Sequence, residues 1–286
     1  MANSKGYIRI IDSTMRDGSH AMAHQFTTDQ ITQIAGALDQ AGLTTLEISH
    51  GDGLGGSSFN YGFSKEPEEN WIEAAAKAIT NAKIAVLLLP GIGTQENLKN
   101  AYDLGARMAR IATHCTEADI AQQHIGLSRD MGMETIGFLM MAHMITPEHL
   151  LHQAQLMESY GAEAVYVTDS AGAMRPDEIR RKVSALRNSL SSDVKVGVHC
   201  HNNLGLSIGN TLAAIEEGAE IVDGCTVGLG AGAGNTPTEV LVSVLHLEGY
   251  ETGVDVFKAQ DAAEDVVKPI MPRPQVIDRA SLVLGY

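Results

Sequence analysis

Cysteine and long apolar runs are both scarce in this sequence. The three cysteines, Cys115, Cys200 and Cys225, form an odd set without CxxC spacing, which argues against a disulfide framework and indicates a reducing compartment. The apolar run at 84–89 is broken by a Pro-Gly pair, well short of the roughly 18 apolar residues that a membrane span needs. The N-terminal MANSKGYIRI lacks the apolar core of a secretion signal. These absences predict a cytoplasmic protein with no membrane partner.

Positive charge is also in short supply. The chain has 20 Lys and Arg against 35 Asp and Glu, for a formal net charge of −15. Nucleic acids and anionic membrane surfaces are bound by clustered Lys and Arg, so the sequence predicts neither as a partner. A small anionic substrate stays open, because one buried Arg suffices to bind it.

Short β-rich runs alternate with helical patterns along the chain. Strands are predicted at 7–12, 44–49, 83–89, 107–112, 134–140, 163–168, 194–201 and 220–226. Helices are predicted at 28–41, 68–82, 95–104, 117–131, 147–160, 176–190, 206–217 and 238–247. This alternation predicts an α/β fold, a (β/α)₈ TIM barrel in which residues 1–286 form a single domain. A doubly wound open sheet is the alternative, but no edge strand is evident in the pattern.

The segment KVGVHCHNN at 195–203 carries the clearest chemical pattern. Side chains on a strand alternate between its two faces, so His199 and His201 point to one face and Cys200 points to the other. Two imidazoles on one face are suited to share a metal ion. The alternative is a pair of polar side chains at a strand end, solvated or bonded to the backbone. In a TIM barrel, chemistry lies at the C-terminal ends of the strands, where these histidines fall.

The loop after the first strand, DSTMRDGSH at 12–20, places a cation beside a carboxylate. Taken alone, Arg16 and Asp17 are compatible with a local salt bridge. Together with His199 and His201, Asp17 completes a set of one carboxylate and two imidazoles, which is a facial metal site with open positions for water and substrate. Oxygen and nitrogen ligands without thiolate favour Mn²⁺, Mg²⁺, Co²⁺ or Fe²⁺ over a structural zinc ion.

Several segments together resemble the 4-hydroxy-2-oxovalerate aldolase family, which belongs to the HMG-CoA lyase-like superfamily. They are IIDSTMRDGSH (10–20), HGDGLGGSSFNYGF (50–63), LLLPGIGT (87–94), ATHCTEAD (112–119), GFLMMAH (137–143), VTDSAGAM (167–174), HCHNNL (199–204) and GLGAGAGN (228–235). The resemblance implies a metal-dependent barrel aldolase, a lyase that cleaves 4-hydroxy-2-oxopentanoate to pyruvate and acetaldehyde. The implied reaction is a retro-aldol cleavage through a metal-stabilised pyruvate enolate, within the meta-cleavage degradation of aromatic compounds.

The resemblance also assigns roles to residues. Asp17, His199 and His201 match the ligands of a divalent metal ion, usually Mn²⁺, with Mg²⁺ and Co²⁺ as alternatives. Arg16 matches the residue that binds the 2-oxo acid and stabilises the enolate, and His20 matches the catalytic base. These residue types suit the chemistry, because a guanidinium stabilises developing negative charge and a histidine titrates near neutrality. No lysine is required, since the metal replaces the Schiff base of other aldolases.

Further positions match substrate contacts in the family. Ser170 matches a substrate-contacting residue, and Asp17 and His199 contact the substrate as well as the metal. Leu87 and Leu89 match positions that shape the pocket around the aldehyde portion. These expectations complete the predicted site.

The resemblance implies a partner beyond the barrel. Family members continue past Tyr286 with a substrate-contacting tyrosine and a helical C-terminal domain, which docks an acylating acetaldehyde dehydrogenase. Residues 1–286 are expected to lack both, and Tyr286 does not match that tyrosine. Two rival interpretations stay open: a barrel that binds metal and pyruvate without turning substrate over, and a relative that acts on acyl-CoA thioesters.

Other polar positions have competing interpretations. The GLGAGAGN segment at 228–235 contains a weak dinucleotide fingerprint, but no βαβ unit follows it, so a tight barrel-top loop lining the pocket is preferred. Glu47, at the second predicted strand, is either a partner of Arg16 or of the metal, or a hydrogen-bonding group of the core. His24 and His124, like other histidines away from the strand ends, are expected to be solvated.

Overall fold

The computed structural model describes residues 4–286, which form a closed barrel of eight parallel strands. The strands are β1 (Arg9–Asp12), β2 (Thr45–Glu47), β3 (Lys83–Leu88), β4 (Ala106–His114), β5 (Glu134–Met140), β6 (Ala164–Asp169), β7 (Lys195–Cys200) and β8 (Ile221–Gly224). Each strand pairs with the next along the chain, and β1 closes the ring by pairing with β8, with Ile11 opposite Asp223. The predicted (β/α)₈ barrel is confirmed, and the open sheet is excluded because closure leaves no edge strand.

Helices follow the strands and form the outer layer. They are α1 (Gly18–Ala21), α2 (Thr28–Ala41), α3 (Glu68–Ala78), α4 (Gln95–Asp103), α5 (Gln122–Asp130), α6 (Pro147–Ser159), α7 (Pro176–Ser189), α8 (Ser207–Glu216), α9 (Thr238–Glu248), α10 (Val256–Asp261) and α11 (Arg279–Gly285). The helix predicted at 117–131 begins as a 3₁₀ turn, Ala118–Ala121, before α5. Helices α1, α10 and α11 lie outside the predicted set. Within residues 4–286, no helix combines the length and the apolarity that crossing a membrane requires.

Helix α2 shows how the local sequence sets the ends of an element. At its start, the Thr27 hydroxyl accepts a hydrogen bond from the backbone N–H of Gln30, and the Gln30 side chain accepts one from the backbone N–H of Thr27. The helix ends at Ala41 and is capped by Gly42, which has a φ of 96°. A Cβ there would lie 2.5 Å from the carbonyl oxygen of Gly253. Only glycine suits this position, because it combines a left-handed backbone with a close approach of another chain segment.

Apolar side chains pack in two layers, one on each side of the sheet. In the outer layer, between the sheet and the helices, Phe26 and Trp71 are fully buried and meet edge-on with ring centroids 6.4 Å apart. In the inner layer, Met108, Phe138 and Tyr166 fill the barrel interior. The inner layer makes the barrel a packed core rather than a pore, and it forms the floor on which polar residues are placed.

Ion pairs close the N-terminal end of the barrel. Arg9, the first residue of β1, pairs with Glu134, the first residue of β5. Lys83, the first residue of β3, places its Nζ 2.5 Å from Oε2 of the same carboxylate. The two cations hold the pKa of Glu134 below its ordinary value, although burial opposes this shift. This end of the barrel is therefore structural, which leaves the C-terminal end for chemistry.

Candidate active site

A cavity lies at the C-terminal end of the barrel, where the strand ends meet. Its volume is ≈ 220 Å³, smaller than the roughly 300–1,000 Å³ of pockets for drug-sized ligands, so it suits a small molecule. All the site residues named from the sequence line it: Arg16, Asp17, His20, Leu87, Leu89, Ser170, His199 and His201. Its remaining lining residues are Gly51, Asp52, Phe138, Met140, Thr168 and Ala231. Barrel closure thus assembles the candidate site from distant parts of the chain.

Asp17, His199 and His201 converge at one point of the cavity wall. Nε2 of His199 and Nε2 of His201 lie 3.3 Å apart. Oδ2 of Asp17 lies 3.5 Å from the first of these nitrogens and 3.6 Å from the second. Ligand atoms at about 2.0–2.2 Å from one metal ion lie roughly 3–3.5 Å from each other. The three donor atoms therefore have the spacing of ligands that share one cation.

The electrostatics of these donors suit a cation. Burial raises the pKa of the Asp17 carboxyl, but the Arg16 guanidinium and His201 outweigh it and hold that pKa well below its ordinary range. Burial lowers the pKa of His201 to about 4, so its imidazole is neutral near pH 7. Burial also acts to lower the pKa of His199, yet its contacts with Asp17 and Asp223 raise it. Asp17, which faces Nε2, and Asp223, which faces Nδ1, thus both favour positive charge on the His199 ring.

Two residues that the sequence did not reveal orient His199. Nδ1 of His199 lies 2.7 Å from Oδ2 of Asp223, so Nδ1 carries the proton and Nε2 presents its lone pair to Asp17 and His201. The Asn235 amide nitrogen lies 3.2 Å from Nε2 of His199. Asp223 lies in a buried strand and Asn235 in the glycine-rich loop, and neither falls in a metal-binding motif. The one sequence feature that could have indicated Asp223 is its position as a carboxylate on β8, the strand that follows the strand of His199 and His201.

The glycine-rich loop at 228–235 lines the site, as its preferred interpretation predicts. The backbone N–H of Ala231 donates to Oδ1 of Asp17 at 3.1 Å, which leaves Oδ2 to face the histidines. At Gly230 a Cβ would lie 3.0 Å from Oδ1 of Asp17 and 2.3 Å from Oδ1 of Asn235. The loop therefore needs glycine to approach these two side chains so closely.

Arg16 contacts the candidate metal ligand Asp17 and also lines the cavity. Its Nη1 donates to Oδ2 of Asp17 at 2.7 Å, and its Nε donates to Oε2 of Glu47 at 2.8 Å. Burial disfavours the charged form of Arg16, but the two carboxylates keep its pKa above the ordinary value. Its Nη2 is buried and has no partner among the residues at 4–286. A buried guanidinium nitrogen without a partner is suited to receive a substrate oxygen.

The residues present fit a divalent metal ion. The donor set consists of one carboxylate oxygen and two imidazole nitrogens without a thiolate, a combination that suits Mn²⁺, Mg²⁺, Co²⁺ and Fe²⁺. The buried Oδ1 of Asn235 also lacks a partner in the described part of the chain. A further group of donors, His20, His24 and Asp52, also lies close together, but it includes the base expected from the resemblance. Asp17, His199 and His201 would hold the ion.

His20 lies on α1, the one-turn helix after β1, and its ring covers the backbone of Gly51. A Cβ at position 51 would lie 2.7 Å from ring atoms of His20. His24 is buried, so its expected solvation is wrong: its ring stacks on His50 with centroids 3.8 Å apart and meets the edge of His20 at 5.2 Å. His24 has a φ of 58°, a conformation that no periodicity in the sequence indicates. His124 is buried as well, which also corrects its prediction.

The remaining wall combines hydroxyl groups with apolar side chains. Oγ of Ser170 accepts a hydrogen bond from the backbone N–H of Met141 at 3.0 Å, so this hydroxyl holds the turn after β5 while lining the cavity. The Thr168 hydroxyl also lies at the cavity, and it is buried without a partner among the described residues. Leu87 and Leu89 provide apolar surface. Thr168 was missed in the sequence, where it reads as one more β-branched residue of a strand.

Comparisons with known proteins show the family to which this chain belongs. A family model described as HMGL-like matches residues 7–266. The chain belongs to the HMGL-like family. Among curated relatives, the 4-hydroxy-2-oxovalerate aldolase of Carboxydothermus hydrogenoformans is 59% identical over 98% of this chain and 82% of that protein. The enzyme of the same name from Thermomicrobium roseum is 60% identical over 97% of this chain and 78% of that protein. The resemblance inferred from the sequence motifs, and with it the expectation of an aldolase, is confirmed.

Two solved structures share the barrel fold of this chain at low sequence identity. The HMG-CoA lyase of Bacillus subtilis superposes with a TM-score of 0.79 at 19% identity, covering 99% of both chains. The carboxyl transferase domain of Rhizobium etli pyruvate carboxylase, with pyruvate and biocytin, superposes with a TM-score of 0.79 at 20% identity, covering 91% of this chain and 46% of that one. At this identity the two structures support the barrel fold alone.

Proposed function

We propose that this protein is a divalent-metal-dependent aldolase that cleaves 4-hydroxy-2-oxopentanoate into pyruvate and acetaldehyde. The observation that carries the proposal is Nη2 of Arg16, which has no partner within residues 4–286 and lies in one small cavity with the convergent donors of Asp17, His199 and His201. A 2-oxo acid needs a cation for its carboxylate and a Lewis acid for its oxo group. The names of relatives at 54–60% identity support the same substrate.

Asp17, His199 and His201 are the proposed metal ligands, and the ion they hold would supply a Lewis acid for the 2-oxo acid. Arg16 binds the same end of the substrate through Nη2 and stabilises the negative charge that develops there. Because Arg16 is already fixed by Asp17 and Glu47, little reorganisation is required as charge develops. Preorganised donors of this kind contribute about 10²–10³-fold in rate.

His20 is the proposed base. It takes the proton of the 4-hydroxyl group as the C3–C4 bond breaks, the C4 oxygen becomes the carbonyl of acetaldehyde, and the bonding pair forms the enolate of pyruvate. His20 then returns this proton, directly or through solvent, to C3 of the enolate, which completes pyruvate and leaves His20 as it began, so atoms and charge balance. Leu87 and Leu89 are proposed to pack against the aldehyde portion, and Ser170 to contact the substrate through the hydroxyl that already accepts from Met141.

The metal and the physiological setting are finer proposals. Mn²⁺ is the proposed ion, with Mg²⁺ and Co²⁺ as alternatives, because the donors are oxygen and imidazole nitrogen. The proposed location is the cytoplasm, which suits three buried free cysteines. The proposed pathway is the meta-cleavage degradation of aromatic compounds. The proposed partner is an acylating acetaldehyde dehydrogenase, which would consume the reactive aldehyde product. Pathway and partner rest on the family resemblance.

Release of pyruvate tests the proposed function. Protein loaded with Mn²⁺ is given 4-hydroxy-2-oxopentanoate, and pyruvate is followed with lactate dehydrogenase and NADH. Pyruvate formation that stops when a chelator is added is expected. Absence of pyruvate from the loaded protein would leave the rival in which the barrel only binds metal and pyruvate. Turnover of an acyl-CoA thioester in place of the hydroxy-oxo acid would favour the second rival, which the small cavity disfavours.

A further inference from the structure

Arg110 is a buried cation beneath the cavity that none of the proposed roles uses. It lies in the middle of β4 with no solvent exposure and does not line the cavity. Its guanidinium carbon lies 4.5 Å from the ring centroid of Phe138 and 4.6 Å from that of Tyr166. A charge at this depth is costly unless its partners are well placed. The partners of Arg110 therefore indicate which residues of the site its charge stabilises.

Arg110 binds a carboxylate on each side, and each carboxylate oxygen is shared with a residue of the site. Its Nη1 lies 2.9 Å from Oε2 of Glu47, the oxygen that also accepts from Nε of Arg16. Its Nη2 lies 2.5 Å from Oδ2 of Asp223, the oxygen that also accepts from Nδ1 of His199. The planar guanidinium group of Arg110 thus binds two carboxylates at once. One of them, Glu47, also contacts Arg16, and the other, Asp223, also contacts His199.

The contacts form a closed ring of six side chains. From Arg110 the ring runs through Glu47 to Arg16 on one side, and through Asp223 to His199 on the other. Asp17 closes it, with Oδ2 lying 2.7 Å from Nη1 of Arg16 and 3.5 Å from Nε2 of His199. All six side chains are buried.

We propose that Arg110 is a positioning residue that sets the geometry of Arg16 and His199 together. Without it, two buried carboxylates would each keep one cationic or proton-donating partner and would move toward it or toward water. Glu47 would then no longer hold Nε of Arg16 in its present direction. Asp223 would no longer hold the ring of His199, whose Nε2 faces Asp17. Arg16, which is proposed to bind the substrate, and His199, which is proposed to bind the metal, would therefore both leave their present positions.

Removal of Arg110 is expected to produce two separable defects. In Arg110→Met, Mn²⁺ affinity measured by electron paramagnetic resonance is expected to fall by about 10-fold, the lower end of the loss seen when a group that orients a ligand is removed. At saturating Mn²⁺ the metal site is filled in spite of the weaker binding, so the loss of Mn²⁺ affinity no longer affects the rate. A further fall in kcat/KM of about 10-fold is expected there, because Arg16 is also displaced. Arg107→Met is the matched control, since Arg107 is an exposed arginine on the same strand, and it is expected to change neither quantity.

A second variant separates the two arms of the ring. Glu47→Gln weakens only the contacts that Glu47 makes, with Arg16 and Arg110, so it is expected to lower kcat/KM at saturating Mn²⁺ while Mn²⁺ affinity stays within about 3-fold of wild type.

Two further variants test the guanidinium group itself. Arg110→Lys preserves the fold by keeping the buried charge, yet one ammonium group cannot bind Glu47 and Asp223 as the guanidinium does. It is expected to show both defects in milder form. In Arg110→Ala, guanidinium ion below denaturing concentration is expected to restore part of both quantities.

The overturning result is a folded Arg110→Met or Arg110→Lys protein with wild-type Mn²⁺ affinity and wild-type kcat/KM, whatever its melting temperature. Such a protein would limit Arg110 to holding the fold. The kcat/KM measurement rests on the proposed aldolase activity, whereas the Mn²⁺ measurement rests only on the proposed metal ligands. If the wild-type protein releases no pyruvate, the aldolase proposal fails, and the Mn²⁺ measurements on Arg110→Met and Arg107→Met still decide the role of Arg110.

Discussion

Oδ2 of Asp223 accepts a hydrogen bond from Nδ1 of His199 at 2.7 Å. The two residues lie on the neighbouring strands β8 and β7, and both are buried. This bond decides which nitrogen of the imidazole carries its proton, and hence which nitrogen faces Asp17 and His201. The arrangement at the candidate metal site therefore depends on a carboxylate that does not itself reach the cavity.

Asp223→Asn is expected to weaken Mn²⁺ binding by about 10–100-fold. The amide keeps the shape of the carboxylate but removes the charge that orients His199 and favours a cation at its Nε2. Titration with Mn²⁺, followed by electron paramagnetic resonance or calorimetry, measures the change. Asp193→Asn, at an exposed loop position, is the control and should bind Mn²⁺ as the wild type does. Equal affinity in both variants would show that this hydrogen bond does not tune the site.

His20→Ala and His199→Ala are expected to fail in different ways. His20→Ala removes the proposed base, so pyruvate release should be lost while Mn²⁺ affinity is largely kept. His199→Ala removes a donor, so Mn²⁺ binding itself should be lost. Metal content after gel filtration, measured together with the coupled pyruvate assay, separates the two. Equal loss of metal from both proteins would refute this division of roles.

Gly51→Ala tests the position of His20 without touching the histidine. A methyl group at 51 would lie 2.7 Å from ring atoms of His20, so the ring must leave its present position. The expected result is a fall in kcat of about 10-fold or more, because small displacements of catalytic groups are costly, with unchanged Mn²⁺ affinity. In helix α8, a Cβ added at Gly209 would meet no heavy atom within 4 Å in the described part of the chain, its own helix backbone and chain neighbours aside. Gly209→Ala should therefore retain activity and gain a few tenths of a kcal/mol in stability.

His24 makes the stability of the fold depend on pH. Burial, followed by the neighbouring His50 and His20, lowers its pKa from 6.5 to about 4. Between these values the unfolded chain binds a proton that the folded protein excludes, so His24 contributes stability above about pH 6.5 that is lost as the pH falls toward 4. The free energy of unfolding in urea should drop by ~2 kcal/mol between about pH 7 and pH 5 on account of this residue.

His24→Asn provides the comparison for that pH dependence. Asparagine tolerates the left-handed backbone at position 24, where φ is 58°, and it does not titrate. The variant should be less stable than wild type near pH 7, but the difference should shrink on acidification. Parallel pH profiles for the two proteins would mean that another group carries the dependence.

Much of the candidate site was predictable because it depends on order along the chain. The alternation of β-rich and helical segments indicates a barrel, and chemistry in a barrel lies at the C-terminal strand ends. Two histidines spaced two apart on one strand must share a face. Asp17, His199 and His201 could therefore be named together before any contact was known, and the structure brings their donor atoms to one point.

Other parts of the site depend on packing that no local pattern encodes. Arg110 reads as a polar interruption of a strand, and nothing near it in the sequence indicates that it spans Glu47 and Asp223. His24 lies in a loop by its pattern, yet the chain turns its ring inward to stack on His50. Such contacts become fixed only when the barrel closes and strands distant in sequence come into register.

The sequence by itself determined the class of fold, the face shared by His199 and His201, and the family, because these follow from periodicity and from motifs read along the chain. The tertiary structure alone decided which buried charges meet. Arg110 and Asp223 lie 113 residues apart, and their contact exists because β1 pairs with β8 to close the ring. The physical reason is that a buried charge must find its partner across the barrel interior, and strand register selects that partner.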